Sequence, residues 1–202
     1  RAGSTFPLNV DTSETQWIIG TLLVLLMGLS LAMVPVLLYP ILRKHNESVA
    51  FGGVLFRGVF EAICEILLVI SMFLLLNVSE TYGKVATADA SYFQNLGSIL
   101  IAAGEWIQII GGIVFSVGTL MIFVLFYQTR LIPRWLSGWG VLGAVLALAA
   151  TVLASFTRDF GLESAHTYLH IPIGLQELVF AVWLIVKGFN PSAITALFAK
   201  TE

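Results

Sequence analysis

Long apolar stretches separated by short polar segments dominate the pattern of this 202-residue chain. Each stretch holds the roughly 20 mainly apolar residues that a helix needs to cross a bilayer. Because hydrocarbon contains no water, each backbone amide in such a stretch must bond within its own helix. The pattern predicts an all-α, polytopic transmembrane helix bundle with five spans, at residues of about 17–39, 49–77, 96–127, 136–156 and 168–189.

Polar segments flank the predicted transmembrane domain, which covers residues 17–189. Lys and Arg are unevenly divided between the two sides, and translocation disfavours basic loops. We therefore predict that the N-terminus lies outside and the C-terminus inside, with residues 1–16 extracytoplasmic and residues 190–202 forming a cytoplasmic tail. The predicted inner side holds Arg43, Lys44, Arg130, Arg134, Lys187 and Lys200, and the outer side holds Arg1, Lys84 and Arg158.

Composition supports a membrane protein and excludes several other classes. Hydrophobic residues make up 58% of the chain and charged residues 11%, whereas a soluble domain has roughly 25% charged residues. The formal net charge of −2 argues against a nucleic-acid partner, because phosphates require a basic face. Cys64 is the single cysteine, which excludes an intrachain disulfide and a zinc site built on several thiolates.

The third predicted span carries a stripe of glycines at seven-residue intervals, which we call the glycine stripe: Gly97, Gly104, Gly111 and Gly118. Small residues on one face let a neighbouring helix approach closely, and a seven-residue period suits left-handed crossing. We expect this stripe to face protein. Ordinary packing within the bundle is the favoured interpretation, and contact with a second copy or with partner transmembrane helices is the alternative.

Several runs of residues resemble one protein family. They are Leu38-Tyr39-Pro40, Leu42-Arg43-Lys44-His45-Asn46, Phe56-Arg57 with Glu61, Leu131-Ile132-Pro133-Arg134-Trp135-Leu136, Pro172-Ile173-Gly174-Leu175-Gln176-Glu177 and Val182-Trp183-Leu184-Ile185-Val186-Lys187-Gly188-Phe189-Asn190. With them the chain resembles, over about Trp17 to Asn190, the bacterial domain-of-unknown-function 4386 family of multi-spanning membrane proteins. The resemblance implies a location in the bacterial cytoplasmic membrane, and it implies no activity. The family usually has one more span before the first one here, so we expect this chain to lack that opening helix.

Ionisable residues lie inside the second predicted span at intervals of four. Arg57, Glu61 and Glu65 therefore project from nearly the same side of the helix. A charge in the bilayer core costs several kcal/mol unless it is paired or hydrated, so this side must face the bundle interior. We predict a structural ion pair between Arg57 and Glu61, which leaves Glu65 without a local partner. A role for the pair in a proton or cation path is the alternative.

Further polar residues lie on the third and fifth predicted spans. Counted from the predicted outer ends, Glu105 and Glu177 lie at one level, and Glu65 lies within about one helical turn of it. We predict a polar chamber, serving as a binding site or proton path. Close carboxylates cannot all ionise cheaply, so some would hold protons or share a cation. Structural hydrogen bonding is an equal alternative. The chamber residues are Glu65, Glu105, Gln108, Glu177 and His170.

Three functions remain open. The first is binding or transport of a small solute or ion through the carboxylates. The second is a non-catalytic accessory or assembly subunit that packs through the glycine stripe. The third is a metal-dependent intramembrane hydrolase with carboxylate and histidine ligands. The sequence lacks the His-Glu-x-x-His spacing of many zinc hydrolases, so an enzyme is disfavoured. No catalytic residue, cofactor or specific metal is assigned.

Overall fold

A computed structural model describes residues 14–82, 90–157 and 164–199 of the chain. In these ranges all regular secondary structure is helical, and five helices are long and apolar enough to cross a membrane. This agrees with an all-helical protein with five spans. The spans are Glu14–Leu42, Glu47–Tyr82, Ala90–Thr129, Arg134–Thr157 and Ala165–Val186, and a short terminal helix follows at Pro191–Ala199.

Some sequence predictions fall outside the described residues. These are the N-terminal segment as far as residue 13, the outer-side charges Lys84 and Arg158, and the last three residues of the predicted tail. The orientation of the termini across the membrane stays a prediction.

Four of the five spans are longer than the hydropathy pattern predicts, and the first and third show two ways in which this happens. The first span continues through Pro40 to Leu42. Proline removes one helical hydrogen bond, but its fixed φ suits a helix, and the side chain of Leu42 is buried in the core beyond it. The third span begins at Ala90 and contains 40 residues, so it is about 60 Å long and exceeds what a bilayer requires.

The spans pack in sequence order, each against the one before it. We call one end of the bundle the basic end, because it holds the loop at residues 43–46, the loop at 130–133 and residues 187–190. Backbone and side-chain bonds join these segments: the Asn190 amide donates to the Leu131 carbonyl at 2.9 Å, and His45 bonds Gln128. A cluster of buried hydrophobic residues lies here and includes Leu42, Phe126, Leu131, Leu136 and Leu197.

The glycine stripe of the third span faces the second span of the same chain. A Cβ atom on Gly118 would lie 2.5 Å from the Arg57 backbone nitrogen, and one on Gly111 would lie 3.4 Å from the Cys64 Cβ. At Gly104 the nearest atom, on Leu68, is 3.8 Å away. At these three glycines the neighbouring helix is the second span of the same chain, as packing within the bundle predicts.

The second span changes its winding where it crosses Gly118. Residues Val54–Phe60 form a π-helix inside the span, with Arg57 in the middle of that segment. Such wide turns are rare and occur mostly where a side chain is needed in an unusual place. Gly58, in the same segment, lies against the first span, where its Cβ position would be 3.4 Å from the Ala32 carbonyl oxygen. The second span is thus held tightly on both sides at the level of Arg57.

Candidate functional site

Arg57 is the centre of a network of two ion pairs and one cation–π contact that links three spans. Its guanidinium donates to Glu61 one turn further along the second span, and its Nη2 donates to Glu177 Oε1 of the fifth span at 2.8 Å. The guanidinium also lies over the ring of Phe115 on the third span, 4.4 Å from the ring centroid. The side chains of Arg57 and Glu61 are 9% and 11% exposed, so this pair lies inside the bundle, whereas the side chain of Glu177 is 34% exposed.

A cavity of about 270 Å³ begins beside this network, between the second, third and fifth spans. We call it the carboxylate cavity, because Glu61 and Glu65 both line it. One carboxylate oxygen of each, Oε2, is buried and has no hydrogen-bond partner in the described structure. The lining residues are Glu61, Cys64, Glu65, Leu68, Ile107, Gln108, Gly111, Gly112, Phe115, His166 and His170.

Glu65 is positioned by a glycine of the first span. A Cβ atom on Gly28 would lie 2.8 Å from the Glu65 Cβ, so the carboxylate side chain packs on the space that this glycine leaves. The first span is otherwise strongly apolar, and many of its large side chains are exposed to the surroundings. Gly28 therefore allows a charged residue to stay inside the bundle beside a helix that mostly faces lipid.

Two histidines of the fifth span form part of the same wall. The rings of His166 and His170 stack with centroids 4.2 Å apart, and His170 Nδ1 bonds the His166 carbonyl oxygen at 2.9 Å. The sequence prediction included His170 and omitted His166. Their spacing of four residues places both on one helix face and is the signal that identifies the second histidine.

A second cavity lies beside Arg57 and Glu177. We call it the apolar cavity, because aliphatic and aromatic residues of the first, third and fifth spans form most of its wall. It measures about 200 Å³ and is also lined by Arg57, Glu177 and Thr119. Glu61 thus lines the carboxylate cavity, and its ion-pair partner Arg57 lines the apolar cavity.

The structure brings together three members of the predicted chamber, namely Glu65, Gln108 and His170. Glu177 instead contacts Arg57 and lines the apolar cavity, and Glu105 does not line the carboxylate cavity. Glu177 and Glu105 are separated because they lie at different distances from the basic end. Glu177 lies about 14 Å from the end of its span and Glu105 about 36 Å from the end of its own, so the two are not level.

Two further buried polar residues near the site, Thr119 and Gln176, were not among the predicted site residues. Thr119 is 1% exposed, and its hydroxyl has no hydrogen-bond partner among the described residues. Gln176 is fully buried and donates from Nε2 to the Leu136 carbonyl oxygen at 3.3 Å, which ties the fifth span to the fourth. Gln176 therefore acts as a structural neighbour of Glu177.

The described residues contain no set of three His, Cys, Asp or Glu side chains placed to share a metal ion. The two histidines and two glutamates of the carboxylate cavity thus do not converge in the way that a hydrolytic metal centre requires. The metal-dependent hydrolase hypothesis has no ligand set in this part of the chain.

Comparison with known proteins gives one match. The family model described as "Domain of unknown function (DUF4386)" matches residues 2–188, which is most of the chain. Neither the curated proteins nor the solved structures include one that matches. The chain therefore belongs to the DUF4386 family.

Proposed function

We propose that this protein binds a small cation in the carboxylate cavity and exchanges that cation for protons across the bacterial cytoplasmic membrane. One observation carries the proposal. Glu61 and Glu65 line the same cavity, and each keeps a buried carboxylate oxygen without a hydrogen-bond partner. A buried acceptor that lacks a donor is costly, and a bound cation or proton would supply what is missing.

Charge balance supports the same conclusion. Glu61 and Glu177 share the guanidinium of Arg57, and Glu65 lies one turn beyond Glu61. If all three carboxylates are ionised, one guanidinium leaves two negative charges uncompensated. Buried unpaired charge is strongly unfavourable, and a cation placed between Glu61 and Glu65 would offset part of it.

The size and chemistry of the cavity favour a small solute. Its volume of about 270 Å³ is large enough for a small solute together with several water molecules. Carboxylate oxygens and the amide oxygen of Gln108 accept hydrogen bonds and coordinate hard cations. An alkali metal ion with part of its hydration shell, or a small organic ammonium ion, meets these requirements.

The position of the ion pair suggests how binding would lead to movement. Glu61 lines the carboxylate cavity and Arg57 lines the apolar cavity. In this proposal, opening the pair joins the two cavities. A cation that competes with Arg57 for Glu61 would favour that opening. In this proposal Glu65 and Glu61 bind the solute, and Arg57 closes the path when the solute is absent.

The accessory-subunit alternative is less favoured. It depended on a glycine stripe available to other helices, and three of these glycines contact the second span of the same chain. The hydrolase alternative would need a ligand set that the described residues do not provide.

Binding is tested by thermal stability in lipid nanodiscs. Sodium, potassium or methylammonium replaces N-methyl-D-glucamine at constant pH and ionic strength. A ligand at 100 times its Kd stabilises the folded state by about 2.7 kcal/mol, so the bound cation raises Tm. We expect Glu65→Gln to fold and to lose this response. The matched control is Glu47→Gln, which removes an exposed carboxylate outside the cavity.

Two results would contradict binding: no tested cation changes Tm of the unaltered protein, or Glu65→Gln responds as strongly as the control. Transport is tested separately in proteoliposomes that contain a pH-sensitive dye and carry an imposed gradient of the bound cation. The proposal predicts a cation-driven pH change that Glu65→Gln abolishes. Binding without such a flux would reject transport and retain the binding site.

A further inference from the structure

A third cavity, unrelated to the carboxylates, lies at the basic end. It measures about 490 Å³ and forms where the loop after the third span meets the residues that follow the fifth. We call it the basic-end cavity. Arg130, Arg134 and Lys187 line it, and its lining contains no acidic residue. We infer that this cavity binds the phosphate group of an anionic phospholipid.

The three cations are free to meet an anion. Within the ranges that the structure describes, ion pairs form at Arg57, and none involves Arg130, Arg134 or Lys187. Arg134 lies over the Tyr127 ring at 5.3 Å from its centroid, a contact that leaves the edge of the guanidinium available for hydrogen bonds. Arginine presents paired donors that match two oxygens of a phosphate.

The backbone conformation of Arg130 is the second observation. Its φ is +56°, in the left-handed region, at a position just after a helix where glycine is usual. Gly188, which lines the same cavity after the fifth span, has φ +67°. The chain thus uses glycine at one of two equivalent helix ends and arginine at the other. This backbone conformation is less favourable for arginine than for glycine, and the arginine side chain adds a positive charge to the cavity wall.

The surroundings of the cavity favour a lipid over a soluble phosphate. Trp183 lines the cavity and packs edge-on against Trp135 at 6.2 Å, and tryptophan is typical of the membrane interface. On the fifth span next to it, Ile185 is 84% exposed and Val186 is 68% exposed. A phosphate held by the three cations would therefore have acyl chains beside an exposed aliphatic surface.

Two sequence motifs meet at this cavity. The runs Leu131–Leu136 and Val182–Asn190, which carry the family resemblance, both contribute to its wall, and the backbone bond from Asn190 to Leu131 joins them. The carboxylate cavity uses neither run. Binding of a phosphate group would explain why both motifs line this cavity, because membrane proteins bind anionic headgroups in basic pockets near helix ends.

The test measures binding of phosphatidylglycerol by native mass spectrometry of the full chain in detergent. Each cation near the surface is worth about fivefold in affinity, the ratio that about 1 kcal/mol gives. The double variant Arg130→Gly, Lys187→Gln should therefore bind about 25-fold more weakly. The control Arg43→Gln, Lys44→Gln removes the same charge from the same end but outside the cavity, and it should bind as the unaltered protein does.

Stability and competition complete the test. Cations at helix C-termini also offset the helix dipole. If that were the whole role of Arg130, Arg130→Gly would lower Tm without lipid and leave lipid binding unchanged. We expect the reverse: an equal or higher Tm, because glycine suits φ +56°, together with weaker lipid binding. Equal binding of phosphatidylcholine, equal loss in the control, or equally tight binding of glycerol 3-phosphate alone would overturn the assignment to a phospholipid.

Discussion

Arg57 contacts carboxylates from two different helices, and its removal would leave both without their cation. Replacing it with methionine keeps much of the apolar volume and removes the charge. Breaking a buried ion pair by deleting one partner usually costs about 3 to 5 kcal/mol, so we expect Arg57→Met to lower the free energy of unfolding by about 3 kcal/mol. Thermal unfolding in nanodiscs measures the loss.

A matched variant also neutralises the two carboxylates that lose Arg57 as their cationic partner. Arg57→Met combined with Glu61→Gln and Glu177→Gln should recover much of the lost stability, because no unpaired charge remains buried. An Arg57→Met protein as stable as the unaltered one would show that the network contributes nothing to the fold.

Gly28, on the first span, leaves the space in which the Glu65 side chain packs. In Gly28→Ala the new methyl group would lie 2.8 Å from the Glu65 Cβ, so the side chain must move. We expect that the bound cation still raises Tm of this variant, but that the rise requires at least a several-fold higher cation concentration. Gly20→Ala on the same span is the control, since a Cβ there meets nothing within 4 Å. An equal response from the two variants would show that the position of Glu65 is irrelevant to binding.

At the scale of helices, contact between the second and third spans depends most on Gly118. Gly118→Ala would place a methyl group 2.5 Å from the Arg57 backbone nitrogen, where neither backbone can yield easily. We expect a loss of at least about 2 kcal/mol in unfolding free energy, within the range for overpacking a tight site. Arg57 would also be displaced, so its contact with Glu177 should weaken.

Gly104→Ala is the control within the same stripe. Its nearest neighbour would be 3.8 Å away, an ordinary contact, and alanine is favoured over glycine in a helix by about 1 kcal/mol. This variant should be as stable as the unaltered protein or more so. Equal destabilisation by both substitutions would contradict the described register of the two spans.

The glycine stripe illustrates which part of a helix contact can be predicted from sequence. The seven-residue repeat predicts that the third span presents a close-packing face, because small side chains allow near approach. The repeat does not say which helix fills that face. The answer depends on Cys64, Leu68 and Ser71 of the second span lying at matching heights, and this matching becomes visible only when both helices are placed together.

At the scale of the whole molecule, hydropathy was sufficient to predict five spans and an all-helical chain. The spacing of Arg57 and Glu61 was sufficient to predict that they are neighbours. Depth was harder to predict, because residues were counted from predicted outer ends. The third span has 40 residues and the fifth has 22, so their outer ends do not align and Glu105 and Glu177 separate. Heights counted from the compact basic end would have placed Glu177 near Arg57.

The buried hydrophobic cluster lies at the basic end, and the carboxylate cavity lies further along the bundle. The aromatic and aliphatic core lies around Phe126 and Leu131, whereas the cavity lies between Glu61 and the histidines near the start of the fifth span. With the predicted orientation, the cavity would be reached from outside the cell. Cys64 lines it beside Glu61 and Glu65, and it is the chain's single cysteine, so it reports directly on the cavity.

The most direct measurement is therefore the rate at which Cys64 reacts with two small methanethiosulfonate reagents, one positively and one negatively charged, added outside intact cells. A hydrated, acidic cavity predicts that the cationic reagent reacts at least about tenfold faster, that Glu65→Gln reduces this preference, and that the bound cation slows the reaction. Cys64→Ser supplies the background. Equal rates for the two reagents, or labelling only by an apolar maleimide, would contradict a cation-binding cavity lined by these carboxylates.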